Sequence, residues 1–383
     1  MRIGIDGLPL TQPLAGIGHY TFEVAQHLAR GVRDDEVDIV SPKAFVPSVT
    51  AQQDIDSHLR LSWEKVNLIT GRWWSIGLPR YIRRRGFDVF HGTNFEIPLQ
   101  TVCPSVLTIH DLSLLLHSET HVRRRVWRAR RRLPLMARRA TMIITVSEAV
   151  REEVHQHLKI PLDRIATVHS AARKMFRPMN AERARQIRAR LNITDEFVLY
   201  AGTIEPRKNL SLLVRAFEKV FREGKPELQL ILAGKKGWMV DELYQSLRRS
   251  SAGDNVMLTG YLNDEELCAL YSSCKLFVYP SRYEGFGLPP LEAMACGAPV
   301  IASRISSIAE VVGSAARLVS PHSVTELATA MNELLDDDSV REGYIAAGQQ
   351  RAREFSWTLT ADRTRAVYAE AISRFNHRQR QKL

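Results

Sequence analysis

The chain has 383 residues, 45% hydrophobic and 25% charged, the balance of a globular, soluble protein with room for two domains of ordinary size. No apolar run is long enough to cross a membrane, and Cys103, Cys268, Cys274 and Cys296 lack metal-ligand spacing and fit a reducing, cytoplasmic compartment. The formal net charge of +11 is uneven: residues 1–175 carry 25 Lys+Arg against 17 Asp+Glu, the remainder 28 against 25.

Met1-Arg2-Ile3-Gly4-Ile5-Asp6 opens the chain as a strand, not a signal peptide, because no apolar h-region follows it. Further short buried strands are predicted at 87–91, 106–110 and 142–146, with helical stretches between most of them. The second half predicts strands at 197–201, 228–233, 256–258, 276–279 and 300–302, and helices at 209–222, 239–250, 263–274 and 289–296. Such alternation calls for an α/β architecture of parallel sheets covered on both faces. Two series predict two Rossmann-like domains, 1–172 and 173–356, with ligands bound beyond the carboxyl ends of the strands. A helical pattern follows Phe355-Ser356-Trp357, and the basic tail 377–383 has no core face and is expected to be loose.

The most informative stretch is Glu284-Gly285-Phe286-Gly287-Leu288-Pro289-Pro290-Leu291-Glu292. Gly285 and Gly287 allow a sharp turn, Pro289 and Pro290 suit a first helical turn, and Gly297 and Pro299 stop the helix. The turn offers backbone N–H groups and a positive dipole end to an anion, with a carboxylate on either side. Carboxylates repel phosphate, so Glu284 and Glu292 are expected to accept hydrogen bonds from hydroxyls. An anion flanked by hydroxyls describes a sugar nucleotide.

In Gly202-Thr203-Ile204-Glu205-Pro206-Arg207-Lys208-Asn209, Asn209 is expected to cap the next helix, setting Arg207 and Lys208 beside its N-terminus, where two cations can hold a diphosphate. Ala15-Gly16-Ile17-Gly18-His19-Tyr20 lies between the first strand and first helix; its G-x-G falls short of a dinucleotide fingerprint, and His19 is read as a packing or capping residue. Thr108-Ile109-His110-Asp111 ends a strand with a histidine, and Asp111 either orients that ring or caps the following turn. The arginine-rich run Arg123–Arg139 and the patch Arg72–Arg85, which includes Trp73 and Trp74, fit a solvated basic face, nucleic acid or an anionic membrane surface.

The Glu284–Glu292 stretch resembles the E-x7-E signature of the retaining family-four glycosyltransferases, and Pro280-Ser281 and Ala293–Val300 are similar to the same family. The resemblance implies the GT-B fold: two Rossmann-like domains with parallel sheets facing across a cleft, and a final helix, 357–383, crossing back onto the N-terminal, acceptor-side domain. It implies that Glu284 takes sugar hydroxyls, that the amides of Gly285, Phe286, Gly287 and Leu288 face the sugar and distal phosphate, and that Glu292 binds the ribose. Lys208 with Arg207 would neutralise the leaving diphosphate in place of a divalent cation, with no metal or other cofactor, and no D-x-D pair stands where a metal would need it. Thr203 stands where the family often has an arginine, which leaves Arg207 to supply that charge. By the same resemblance Gly16 and Gly18 shape the acceptor side, and His110, with Asp111, lies near the donor sugar. Gly234, Lys235, Tyr261 and Leu262 would border the nucleotide.

Ile5–Leu10, Gly16–Tyr20 and Gly202–Asn209 are most similar to bacterial mannosyltransferases of O-antigen and exopolysaccharide assembly. That implies GDP-mannose as donor, a polyprenyl-diphosphate-linked glycan as acceptor, and a cytoplasmic protein resting on the anionic inner face of the membrane through its arginine runs. A UDP-sugar donor and a GT-B epimerase or phosphorylase are the alternatives. A nucleic-acid-binding protein is a remote one, resting on charge without any recognised motif.

Overall fold

The computed structural model describes residues 1–31, 34–50, 55–67, 69–100 and 102–381. The chain divides into two compact units, one made of Met1–Leu116, Arg124–Ser170 and Ser356–Leu383, the other of His117–Arg123 and Ala171–Phe355.

The first unit holds a seven-stranded, wholly parallel sheet: β1 (Arg2–Asp6), β2 (Glu36–Ser41), β3 (Leu59–Trp63), β4 (Val89–Gly92), β5 (Ser105–Ile109), β6 (Met142–Thr145) and β7 (Ile165–Thr167). Their spatial order is β3-β2-β1-β4-β5-β6-β7. The second holds a six-stranded parallel sheet of β8 (Phe197–Ala201), β9 (Gln229–Ala233), β10 (Val256–Gly260), β11 (Leu276–Tyr279), β12 (Val300–Ser303) and β13 (Arg317–Val319), in the order β10-β9-β8-β11-β12-β13. Both orders reverse once, between β1 and β4 and between β8 and β11, and in doubly wound folds that reversal opens a crevice at the strands' carboxyl ends. Every residue of β5, β8, β11 and β12 is buried, as expected of strands covered on both faces.

Four strands, β2, β3, β7 and β13, have no counterpart in the sequence expectation. Glu36 and Asp38 interrupt the apolar run of β2, and Asp38 is buried because the Tyr81 hydroxyl donates to it at 3.0 Å and Arg85 approaches to 3.3 Å. The other three are edge strands, and Arg60 in β3 and Arg317 in β13 break their short apolar runs, while β7 has only three residues.

The closing helix, Trp357–Arg380, belongs to the first unit. Arg365 pairs with Asp35 at 2.9 Å and donates to the Leu28 carbonyl, while the buried Tyr368 hydroxyl meets His91 Nδ1 at 2.7 Å. The tail expected to be loose is helical as far as Arg380, because the exposed last turns continue a helix already anchored by Tyr368 and by Arg374 on Asp163; residues 382 and 383 lie outside the described residues.

Candidate active site

In the second unit, the loops after β8 and β11 flank the reversal point. The chain leaves β8 through Gly202, makes a 3-10 turn at Pro206–Lys208 and enters the helix Leu210–Arg222. Asn209 does not cap that helix with its side chain. It adopts a left-handed backbone, φ 59°, and its amide donates to the carbonyls of Pro280 (3.1 Å) and Pro321 (2.8 Å), tying the β8 loop to the β11 loop. The Arg282 N–H adds a second tie, to the Arg207 carbonyl at 2.9 Å.

These ties bring the predicted cations onto Glu284. Lys208 Nζ donates to Glu284 Oε1 at 2.6 Å and to the Tyr279 hydroxyl at 2.7 Å. Arg207 donates to Glu284 Oε2 at 2.9 Å, to the Tyr283 carbonyl at 2.7 Å and to Glu205 Oε1 at 2.7 Å. The Tyr279 hydroxyl reaches Glu284 Oε1 at 3.1 Å, and its ring stacks on Tyr200 at 5.9 Å. Glu284 thus accepts from Lys208, Arg207 and the Tyr279 hydroxyl, and the Ser281 hydroxyl also acts on it. Burial alone would raise its pKa, but Arg207 and Lys208 outweigh burial and hold it down at about 2. Burial and the charge of Arg207 in turn push Lys208 below the ordinary lysine range, with Glu284 pulling it back. With Glu205 included, the cluster holds two cations and two carboxylates and carries no net charge.

Gly287 adopts φ 109°, where an L side chain is strained, and starts the helix Leu288–Ala295. Leu288 takes the first helical position, so Pro289 and Pro290 fall one residue later than a proline-started helix would place them and remove two of the helix's unpaired N–H groups. The Phe286 ring is buried edge-on against Phe355 at 5.9 Å, so its side chain packs the core. Glu292, one turn into the helix, is buried, with Arg173 Nε 3.7 Å away. Arg173 spends its two terminal nitrogens on Asp264, at 2.6 and 2.9 Å. Burial therefore dominates at Glu292; Arg173 opposes it, Asp264 adds to it, and the pKa rises to about 7.

Gly234 follows β9 at φ 152°, and a side chain there would strike the Gly202 carbonyl, since a Cβ would lie 1.9 Å from it. The next residue, Lys235, sets its ammonium 4.9 Å from the ring centre of Tyr261, an exposed residue directly after β10 and followed by half-buried Leu262. Gly234, Lys235 and Tyr261 are thus brought together.

In the first unit, His110 is the residue directly after β5. Its Nε2 lies 2.8 Å from the Thr93 carbonyl, which only accepts, so Nε2 carries the proton. Burial pushes the ring's pKa down, so it stays neutral and Nδ1 keeps its lone pair. Tyr20 packs edge-on against this ring at 4.8 Å and Phe95 at 5.9 Å. Asp111 Oδ1 accepts the Ser113 N–H at 2.8 Å, the turn-capping alternative. Gly16 and Gly18 lie in the first turn of the helix Gly16–Gly31, not in a free loop; Gly16 is exposed with open space at its Cβ position, whereas Gly18 is buried against Leu14 and the Pro9 carbonyl.

The two basic runs differ. In Arg72–Arg85, Trp73 is buried among Leu78, Tyr81, Ile82, Phe87 and Phe90, so its indole is a core group rather than a surface one. In the helix Arg123–Arg139, Trp127 is exposed with Arg131 4.2 Å from its ring centre, and the helix has nine arginines and no acid. Among the described residues, no helix is long and apolar enough to cross a membrane, and no three His, Cys, Asp or Glu cluster to hold a metal ion.

Sequence reasoning missed Tyr279, Glu205 and Arg173. A tyrosine ending an otherwise apolar strand was the available signal for the first; the other two reach their partners only through the fold.

Residues 14–172 match the family described as Glycosyltransferase Family 4, and residues 183–351 match Glycosyl transferases group 1. The chain is 33% identical over 379 residues to O-antigen chain mannosyltransferase B of Escherichia coli, covering 96% of this chain and 99% of that one. Among solved structures it is similar to sucrose-phosphate synthase from Thermosynechococcus elongatus, with TM-score 0.77, 21% identity and coverage of 97% and 99%. It is also similar to Anabaena HepE in complex with UDP and glucose, with TM-score 0.76, 18% identity and coverage of 97% and 100%. With two doubly wound parallel sheets, family matches over both halves and a curated relative along nearly its whole length, the chain belongs to the family-4 glycosyltransferases of GT-B fold.

Proposed function

We propose that this glycosyltransferase moves mannose from GDP-mannose, with retention of anomeric configuration, onto a polyprenyl-diphosphate-linked glycan in bacterial surface polysaccharide synthesis. The observation that carries the donor site is the Glu284 carboxylate held by Lys208, Arg207 and Tyr279 beside the left-handed Gly287. Mannose is taken from the similarity to the E. coli O-antigen chain mannosyltransferase.

In this reading a sugar hydroxyl donates to the Glu284 carboxylate, and the main chain of Gly285 to Leu288 faces the sugar and distal phosphate. As the anomeric C–O bond breaks, its electron pair leaves with the nucleoside diphosphate. Lys208 and Arg207 turn from their carboxylates toward that growing charge. The acceptor hydroxyl attacks the same face and passes its proton to the departing phosphate. Glu292 takes the ribose diol, and Gly234, Lys235, Tyr261 and Leu262 form the nucleotide's surroundings. His110 serves as a neutral imidazole whose Nδ1 accepts a hydrogen bond, with Asp111 holding the turn behind it, and Gly16 and Gly18 belong to the acceptor side. The chemistry proposed needs no metal.

The helix Arg123–Arg139, with exposed Trp127, is the surface proposed to rest on the anionic inner face of the cytoplasmic membrane. Replacing Arg123, Arg124 and Arg125 by Gln should weaken sedimentation with anionic vesicles and flatten its salt dependence; unchanged binding rejects this surface.

A UDP-sugar donor is the second reading, favoured by the similar structure with UDP and glucose. Thermal shift with GDP-mannose, UDP-glucose and ADP-glucose separates the two. A shift confined to GDP-mannose supports the first, and one confined to UDP-glucose replaces it. Release of nucleotide only when acceptor glycan is added distinguishes transfer from epimerisation.

A further inference from the structure

Cys268 and Cys296 come from different helices and meet inside the second unit with their sulfurs 3.8 Å apart. Cys268 lies in the helix Asp264–Ser273, and Cys296 directly follows the helix Leu288–Ala295. Both thiols are buried, yet Cys268 also lines a cavity of about 440 Å³ with Met175, Arg177 and Asn180, large enough for a small oxidant. The other two cysteines are placed differently: Cys103 lies in the core of the first unit, and Cys274 offers its thiol to the Tyr271 carbonyl at 3.5 Å.

We propose that Cys268 and Cys296 are a modification site, a dithiol that a hydroperoxide oxidises to a disulfide and that thereby lowers affinity for the nucleotide donor. The Cys268 thiolate attacks the terminal peroxide oxygen, breaking the O–O bond and releasing an alcohol or water, and becomes a sulfenic acid. Cys296 attacks that sulfur, the S–S bond forms, and the sulfenic oxygen leaves as water. Two thiols lose two electrons, and the hydroperoxide gains them. The sulfurs must close to about 2.05 Å, a short movement from van der Waals contact. The Cys296 thiol, hydrogen-bonded to Cys268, draws the Cys268 pKa below the ordinary thiol range against burial, while that hydrogen bond and burial push Cys296 upward. Because Cys268 and not Cys296 lines the cavity, attack falls to Cys268 and resolution to Cys296.

The link to the donor rests on the ribose role proposed for Glu292. The Cys296 N–H bonds the Glu292 carbonyl at 3.1 Å, one turn along the same helix. Cys268 sits on the helix that begins at Asp264, and Asp264 and Glu292 share Arg173. The cross-link therefore joins the two helices whose carboxylates compete for one guanidinium, and closing it moves Glu292 relative to Arg173.

The test treats the whole protein with hydrogen peroxide, alkylates it under denaturing conditions and maps peptides without reduction. The expected product is a Cys268–Cys296 linked peptide, reversed by dithiothreitol. C296S should instead leave a sulfenic acid on Cys268 that dimedone traps, and C268S should leave Cys296 alkylatable. If all four thiols remain alkylatable, or another pair links, the site is overturned. GDP affinity of the oxidised protein should fall by about tenfold in the wild type and not in C296S. A linked peptide with unchanged GDP affinity overturns the coupling. Failure of the reduced protein to bind GDP or UDP counts against the donor reading instead, and the thiol mapping still decides the modification site.

Discussion

Glu284 and Glu292 stand eight positions apart, the first half-buried and the second buried, yet the fold gives them opposite electrostatic lives. Glu284 has Lys208 and Arg207 in direct hydrogen bonds and is held at about 2. Glu292 has one guanidinium, shared with Asp264 and 3.7 Å away, and rises to about 7. Burial acts on both in the same direction, so the number and commitment of nearby cations decides the charge. Glu284 is a permanent hydrogen-bond acceptor. Glu292, raised to about 7, can both accept and donate near neutrality.

The largest expected effect comes from removing the first carboxylate. Glu284→Gln should leave Lys208 and Arg207 without their main counter-charge, destabilise the fold by roughly 3–5 kcal/mol and cut turnover by about 10³-fold. Nucleotide release and thermal melting measure both, and turnover within tenfold of wild type would remove Glu284 from the reaction.

A pH titration of stability breaks or sharpens the contrast directly. Glu284 has a depressed folded-state pKa, so its contribution is complete above 4.5 and is lost as pH falls toward about 2. Glu292 has a raised one, so its contribution is present below 4.5 and is lost as pH rises toward about 7. Melting temperature against pH should therefore flatten between about 4.5 and 7 in Glu292→Gln and between about 2 and 4.5 in Glu284→Gln. Identical profiles for the two variants would erase the distinction. In the same series Glu292→Gln should raise the donor KM by about tenfold with kcat nearly unchanged, the mark of ground-state binding.

The smallest effect belongs to Tyr279→Phe, which removes one hydroxyl from the Glu284 cluster and spares its charges. A loss of about 1 kcal/mol by chemical denaturation is expected. A loss as large as that of Glu284→Gln would mean that Tyr279, rather than the cations, holds the carboxylate.

Legibility in the sequence followed burial. β8 and β11, wholly buried and continuously apolar, match their predicted spans, 197–201 and 276–279. β3 and β13 escaped because arginines break their short edge runs, β7 because it has three residues, and β2 because Asp38 is held by Tyr81 and Arg85, side chains more than forty positions away. The same logic holds at the site. Asn209 reads as a helix cap because its type favours that role, but two distant carbonyls, at Pro280 and Pro321, compete for its amide and win.

Sequence by itself determined the α/β alternation, the glycine turn with its two glutamates, and the presence of two cations at the end of another strand, since local spacing and residue type carry those. Tertiary structure alone decided that Lys208 and Arg207 close on Glu284 and leave Glu292 to a shared Arg173. That choice depends on β8 and β11 lying side by side at the reversal of the sheet, bringing together residues some seventy-six positions apart. Electrostatic energy falls with distance in space and is blind to distance along the chain, so the charge of each glutamate was settled only when the sheet was.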